Sequence, residues 1–159
     1  MSEFASLADA GRSLSSMLAE RVRGDAEIVA VVPNGVPVAE PIADALGLPL
    51  RGATVLRADE PRAGAIPDCS AGAAVIVVDD GVETGTAALL VGSALRERGV
   101  ERLVLAVPVC PREAEPRLRA AYDEIVAVSR PLVRRDLRWH YADFDTIDEA
   151  EAMRRLAAR

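Results

Sequence analysis

Residues 75–87 read Val-Ile-Val-Val-Asp-Asp-Gly-Val-Glu-Thr-Gly-Thr-Ala. The segment opens with β-branched residues only, a pattern that predicts a strand buried on both faces of a sheet. Asp79 and Asp80 follow the strand, and a turn rich in hydroxyl groups and glycine leads into a helical sequence from Thr86. Carboxylates accept hydrogen bonds from ribose hydroxyls, and N–H groups at a helix N-terminus bind phosphate. The segment therefore predicts a sugar-phosphate site, although an acid pair can also serve only to favour the helix dipole.

On both sides of this segment, strand-like and helix-like sequences alternate. This alternation predicts one three-layer α/β domain with a mainly parallel sheet of about five strands. We assign its core to residues 25–130 and a small hood or tail to residues 131–159. Strands are predicted over residues 28–32, 50–56, 75–80, 103–109 and 124–129. Helices are predicted over residues 5–23, 38–46, 86–98, 112–121 and 148–158.

Two further segments are candidates for function because of where they fall between the predicted elements. Pro33-Asn34-Gly35 follows the first predicted strand, and ligands of open α/β sheets bind outside the carboxyl ends of strands. We therefore expect this tripeptide to share a cleft with residues 79–86. Residues 57–73 are rich in Pro, Gly and Asp and predict a long functional loop.

Composition excludes several classes of function. The net charge of −6 argues against a general nucleic-acid-binding protein. All 19 basic residues are arginine, which excludes mechanisms that need a Schiff-base, Walker-A or receiver-domain lysine. No apolar run approaches the roughly 20 residues of a membrane span, and the acidic first residues do not predict a secretory leader. Cys69 and Cys110 lack metal-ligand spacing, which fits reduced thiols in a cytoplasmic protein.

The 75–87 segment resembles the phosphoribosyl-diphosphate (PRPP) signature of type I phosphoribosyltransferases. That signature has a strand, two acids, two spacer residues and a five-residue phosphate loop, here Asp79-Asp80, Gly81-Val82 and residues 83–87. Ala87 departs from the usual Gly-x-Thr ending, as the loop of orotate phosphoribosyltransferases also does. Residues 31–45, 103–108 and 139–144 extend the resemblance over nearly the whole chain, towards a subgroup of uncharacterised bacterial phosphoribosyltransferases.

The resemblance implies a role for each residue of the signature. Asp79 and Asp80 would bind the ribose 2′- and 3′-hydroxyls. The 5′-phosphate would lie in the loop formed by Glu83, Thr84, Gly85, Thr86 and Ala87. Glu83 stands where 6-oxopurine enzymes place an aspartate that handles the base proton, so it is a candidate general acid or base. It is equally an acid favoured by the helix dipole.

The resemblance also implies a diphosphate site and a metal ion. Asn34 and Gly35 would present backbone N–H groups to the diphosphate, through a strained or cis peptide at Pro33–Asn34. Mg²⁺ would bridge diphosphate and ribose oxygens near Asp79 and Asp80, held mostly by substrate and water. By analogy with the family, the protein would be a homodimer.

The diphosphate side departs from the subgroup in two places. Asn34 stands where related proteins usually carry arginine, and Arg57-Ala58 stands where they carry Arg-Lys. Fewer cations weaken the binding of a highly charged diphosphate. Arg57 is the nearby replacement, and Arg62 is either a second one or a solvated loop residue.

The aromatic residues Trp139, Tyr141 and Phe144 cluster in the tail. They would either cover the acceptor base by stacking or form a strand that pins the last helix to the core. His140 is either a site residue or a surface or satisfied histidine. The basic run 134–138 is either solvated or an anion contact.

Two functions remain open from the sequence. The first is a phosphoribosyltransferase that binds PRPP and transfers the phosphoribosyl group to a nitrogen acceptor, a nucleobase, with release of diphosphate. The second is a regulatory module that binds a phosphoribosyl compound or nucleotide without turnover. A dinucleotide-binding oxidoreductase is disfavoured because no GxGxxG motif follows the first strand.

Overall fold

In the computed structural model, which describes residues 2–22 and 24–159, five parallel strands form the central sheet. They are β1 (Ala26–Val31), β2 (Leu50–Ala53), β5 (Ala74–Val78), β6 (Leu103–Val109) and β7 (Glu124–Ser129). Their order is β2-β1-β5-β6-β7, and all neighbours are parallel. The predicted α/β class and parallel sheet are confirmed.

Helices cover both faces of this sheet, which accounts for the uninterrupted apolar runs in the strands. They are α1 (Leu7–Ala19), α2 (Gly35–Leu46), α3 (Thr86–Glu97), α4 (Glu115–Leu118) and α5 (Glu149–Ala157). Alternate strand residues enter two separate apolar clusters: Ile76 and Val78 pack on the face of α1 and α2, and Val75 and Val77 on the face of α3. Burial on both faces requires consecutive β-branched residues rather than an alternating pattern.

The strand order places a topological switch point between β1 and β5. The chain passes from β1 to β2 on one side and then crosses back to β5 on the other side of β1. Crossovers in opposite directions leave a crevice outside the carboxyl ends of the two central strands. Residues 33–35 leave β1 and residues 79–80 leave β5 at this crevice.

The prediction of a loop over residues 57–73 is wrong in part, because the second strand of a hairpin lies within it. Two short strands, β3 (Val55–Leu56) and β4 (Arg62–Ala63), pair antiparallel, and the predicted strand 50–56 breaks at Thr54. The Thr54 hydroxyl accepts a hydrogen bond from the Ala65 N–H group at 2.8 Å, and the Thr54 carbonyl accepts one from Gly64 at 2.8 Å. These bonds hold the base of the hairpin beside the crevice.

Several predicted helix limits also need correction. Helix α2 begins at Gly35 rather than at residue 38, and α1 ends at Ala19 rather than at residue 23. Arg23 itself lies outside the described residues. The predicted helix 112–121 is a 3₁₀ turn (Arg112–Ala114) followed by α4, which ends where the Ala120 and Ala121 N–H groups bond carbonyls three residues earlier.

The tail (residues 131–159) crosses from the far edge of the sheet back to its N-terminal helices. It forms a 3₁₀ turn (Leu137–His140), bridges Phe4 at Tyr141 and ends in α5, which packs against α2. Among the described residues, no helix has the length and apolar character that crossing a membrane requires.

Candidate active site

A cleft of about 440 Å³ opens outside the carboxyl ends of the central strands. The cleft is lined by residues 79–88, by Val55, Arg57 and Pro61 of the hairpin, and by Leu137 of the tail. The whole predicted signature, from the acid pair to the first turn of α3, therefore lines one cavity. Its volume lies in the range of small-molecule sites.

Asp79 and Asp80 stand side by side where β5 ends, and both are partly buried. The Asp80 N–H group donates to Asp79 Oδ1 at 2.8 Å. Burial raises the pKa of the Asp79 carboxyl well above its ordinary value, and the neighbouring charge of Asp80 raises it further. Burial also raises the pKa of Asp80. The positive charge of Arg57 offsets part of the rise in pKa at both carboxyl groups. Such a pair gains from ligand hydroxyl donors that stabilise its charged form.

The loop that follows the acid pair is the N-terminus of α3. Its backbone is fixed at Val82, whose N–H group donates to the Val109 carbonyl at 2.8 Å. Gly85 caps the helix with φ +88°, a left-handed conformation that glycine adopts without a steric penalty. The Thr84 and Thr86 hydroxyl oxygens lie 3.2 Å apart at the cleft. Because the first N–H groups of a helix lack intrahelical partners, this turn can bind an anion.

Arg117, in α4, contacts the same loop, a contact that the sequence does not predict. Its Nη1 donates to the Thr84 carbonyl at 3.1 Å and to Thr86 Oγ1 at 3.4 Å. The next residue, Leu118, packs against Gly85, where an added Cβ would lie 3.2 Å from Leu118 Cδ2. No sequence signal identifies this contact, because α4 and the loop lie more than 30 positions apart.

The tripeptide Pro33-Asn34-Gly35 lies beside the acid pair, but it does not belong to the cleft lining found among the described residues. A Cβ at Gly35 would lie 2.5 Å from the Val78 carbonyl oxygen, so glycine permits this close approach. The cis peptide bond is Val32–Pro33, not Pro33–Asn34 as predicted, because proline is the residue that tolerates the cis form. Asn34 Oδ1 accepts a hydrogen bond from the Ile147 N–H group at 3.0 Å.

Of the residues predicted for the diphosphate, Arg57 is the one that lines the cleft. Its side chain is exposed on the hairpin, opposite Asp79 and Asp80. Arg62, on β4, is also exposed.

The described lining of the cleft includes none of the three tail aromatics, Trp139, Tyr141 and Phe144. Trp139 is 48% exposed, with the Arg135 guanidinium 4.4 Å above its ring. Tyr141 is buried between Phe4 and Phe144, and its hydroxyl donates to the Asp80 carbonyl at 2.6 Å. Tyr141 therefore contacts the acid pair through the backbone of Asp80.

Leu137 is the tail residue that does reach the cleft, and sequence reasoning missed it. Its N–H group donates to Glu83 Oε1 at 3.3 Å, and its side chain lies against Gly81, where an added Cβ would meet Leu137 Cδ2 at 2.5 Å. His140 is buried, with Nδ1 2.7 Å from Glu3 Oε1, and so lies away from the cleft. The predicted strand in this segment is a 3₁₀ turn and an isolated bridge.

Comparison with solved structures shows the same fold elsewhere. The Thermus thermophilus protein TT1426 is 24% identical, with a TM-score of 0.83 over 99% of both chains. The purine phosphoribosyltransferase of Pyrococcus horikoshii is 20% identical, with a TM-score of 0.60 over 84% of this chain and 97% of that one.

Comparison of sequences identifies the family. A Mycobacterium tuberculosis protein provisionally named a phosphoribosyl transferase is 29% identical over 82 residues, 52% of this chain. The match spans only 18% of that relative's length. The profile of the phosphoribosyl transferase domain matches residues 5–131, which include the acid pair, the loop of α3 and Arg117. The chain therefore belongs to the phosphoribosyl transferase domain family.

Proposed function

We propose that this chain binds PRPP and transfers its phosphoribosyl group to a ring nitrogen of a nucleobase, releasing diphosphate. The observation that carries the proposal is a single cleft holding both a partly buried acid pair and the N-terminus of α3. Hydroxyl acceptors and anion donors at this spacing suit a ribose 5-phosphate. Membership of the family supports the reaction class.

In the proposed complex, each half of the cleft has its own task. Asp79 and Asp80 accept hydrogen bonds from the ribose 2′- and 3′-hydroxyls. The N–H groups and hydroxyls of residues 84–87 hold the 5′-phosphate. Gly81 and Val82 set the distance between these two groups, and the bond from Val82 to Val109 supports that spacing.

The diphosphate would lie between the hairpin and the β1 end, against Arg57 and the backbone of Asn34 and Gly35. In the reaction, the bond from ribose C1 to the diphosphate oxygen breaks, and its electron pair leaves with the diphosphate. The acceptor nitrogen forms the new bond to C1 and loses a proton, for which the Glu83 carboxylate is the proposed acceptor. Fixed positions for the two reactants can supply a large part of the rate enhancement in such a transfer.

The residues at the cleft fit a substrate-bridged Mg²⁺. Asp79 and Asp80 offer the carboxylate oxygens that Mg²⁺ accepts. Among the described residues, no group of three or more His, Cys, Asp or Glu side chains could hold a metal ion, so substrate oxygens would complete the coordination. When bound, Mg²⁺ would neutralise charge on the departing diphosphate.

One observation favours a second candidate, a module that binds a phosphoribosyl compound without turnover. The Asn34 amide oxygen accepts a hydrogen bond from Ile147, and the chain contains no lysine. The diphosphate side therefore has fewer groups to stabilise a leaving group than the phosphoribosyl side has to bind its ligand.

Calorimetry with PRPP and Mg²⁺, combined with a diphosphate-release assay over a panel of nucleobases, separates the two candidates. Binding with release for one base supports the transferase, and binding without release for any base supports the binding module. Asp80→Asn should weaken PRPP binding while circular dichroism stays unchanged, because the residue follows the strand end. If the wild-type chain does not bind PRPP, the transferase is excluded, and if it binds neither PRPP nor ribose 5-phosphate, the binding module is excluded as well.

A further inference from the structure

Arg117 reaches the loop of α3 from a separate element. Its Nη1 bonds a carbonyl and a hydroxyl of the loop, the Thr84 oxygen at 3.1 Å and Thr86 Oγ1 at 3.4 Å. Both groups lie within two residues of Gly85, the helix cap. The guanidinium thus lies at the end of α3 where the positive end of the dipole is found and where the first N–H groups have no intrahelical partner.

Two neighbouring arginines form salt bridges with a carboxylate, whereas Arg117 does not in the part of the chain that the structure describes. Arg119 pairs with Glu115 at 3.6 Å, and Arg130 pairs with the same carboxylate. Within residues 2–22 and 24–159, Arg117 forms no salt bridge, and its hydrogen bonds use Nη1 alone. The guanidinium carries five N–H donors, so its remaining donors and its full charge are available to an anion.

The contact with Thr84 also determines which groups face the anion. A carbonyl oxygen turned towards a phosphate would repel it, and the Thr84 carbonyl is instead paired with the Arg117 guanidinium. The need for a cation is clear from the cleft itself, since Asp79, Asp80 and Glu83 all line it. Without a compensating charge, these carboxylates would oppose a dianionic phosphate at the same cleft.

We propose that Arg117 is a positioning residue for the 5′-phosphate: it holds the Thr84–Thr86 turn in its anion-binding conformation and adds positive charge at the N-terminus of α3. The inference rests on the proposed function, because it assumes that this turn receives the phosphate of a phosphoribosyl ligand. It assigns positive charge at the phosphate turn to a residue outside the signature.

Calorimetry with two probes, ribose 5-phosphate and inorganic diphosphate, tests this role on the full chain. Arg117→Gln should weaken ribose 5-phosphate binding about tenfold, the size expected for a lost charge-assisted contact, and leave diphosphate binding within about twofold. Arg119→Gln is the matched control, with the same charge change two residues away, and should bind both probes like the wild type. Arg117→Lys keeps the charge and should recover part of the affinity.

The outcomes distinguish this inference from the proposed function. If the wild type binds ribose 5-phosphate and Arg117→Gln binds it equally well, the role of Arg117 is wrong while the site stands. If Arg117→Gln loses both probes equally, the residue serves the fold and not the phosphate, and the inference fails. If the wild type binds neither probe, the proposed function itself fails. No recovery in Arg117→Lys would overturn the contribution of charge.

Discussion

At the scale of single residues, the Asp79 carboxyl group belongs to the proposed site and lowers the stability of the folded chain when it is charged. Burial and the neighbouring Asp80 raise its pKa, so the folded chain holds a proton that the unfolded chain releases. Between the two pKa values the native state binds more protons, and stability falls as pH rises through that window. Asp79 therefore destabilises the native state at neutral pH.

Asp79→Asn should raise the free energy of unfolding at pH 7.5, because the amide needs no charge in the buried position. The gain should shrink as pH falls, and it should vanish below the ordinary pKa of an aspartate, where both states are protonated. Urea unfolding at several pH values measures this difference. The amide oxygen introduced by the substitution can still accept the Asp80 N–H group, so the local geometry is retained.

Asp123 supplies the control with the opposite sign. Its pKa is lowered, first by the hydrogen bond from the Leu103 N–H group and then by Arg96, so its charge stabilises the native state. Asp123→Asn should reduce stability at neutral pH, and the loss should disappear as pH falls through the lowered pKa. If the free energy of unfolding at neutral pH rises in both variants, or falls in both, the directions of the two pKa shifts are wrong.

At the scale of elements, the tail holds the cleft from two sides. Tyr141 donates to the Asp80 carbonyl at the end of β5, and the Ile147 N–H group donates to Asn34 at the end of β1. These are the two strand ends that flank the topological switch point. The tail therefore fixes the distance between the proposed ribose and diphosphate halves.

Tyr141→Phe removes one of these bonds with little change of shape. We expect a loss of about 1 kcal/mol in the free energy of unfolding, the usual net value of a hydrogen bond. Hydrogen exchange of the amides in residues 79–83 and 137–143 should increase, and PRPP affinity should fall. Phe144→Leu, which changes the same aromatic cluster without touching Asp80, is the control. Equal exchange at residues 79–83 in the two variants would contradict a specific role of the hydroxyl.

Substitutions at Asn34 separate the effect of its hydrogen bond with Ile147 from the effect of charge at this position. Asn34→Ala should increase hydrogen exchange around Ile147, because the acceptor is lost. Asn34→Asp keeps an acceptor oxygen and should preserve that protection, but its negative charge should weaken diphosphate binding. If Asn34→Asp binds diphosphate as well as the wild type does, the proposed diphosphate position is wrong.

Elements that are buried on both faces are the ones that the sequence predicts best. The limits of β6 and β7 agree with the predicted residues 103–109 and 124–129, and every residue of β6 is buried. Strand β4 was missed and β3 was predicted as part of β2, because side chain to backbone contacts at Thr54 determine the hairpin and a two-residue strand has no pattern. Arg117 and Leu137 were missed for a related reason, because long-range contacts alone bring them to the cleft.

At the scale of the whole molecule, the charge balance opposes the proposed ligand. The chain carries a net charge of −6, and PRPP is itself strongly anionic. The cleft contains three carboxylates, while Arg57 lines it and Arg117 supports its loop. The phosphoribosyl half has backbone donors and a helix dipole in addition, whereas the diphosphate half depends on Arg57 and a short stretch of backbone.

This asymmetry predicts that Mg²⁺ matters more for PRPP than for ribose 5-phosphate. Removing Mg²⁺ with a chelator should lower the affinity for PRPP at least tenfold, roughly the effect of losing one strong charge interaction, and change that for ribose 5-phosphate by less than about threefold. Calorimetry with both ligands, before and after chelation, measures the ratio. Raising the NaCl concentration at constant Mg²⁺ is the control for general screening, and it should lower the affinity for both ligands by similar factors. If chelation weakens the two ligands equally, the ion acts on the phosphoribosyl half, and the proposed division of the cleft is wrong.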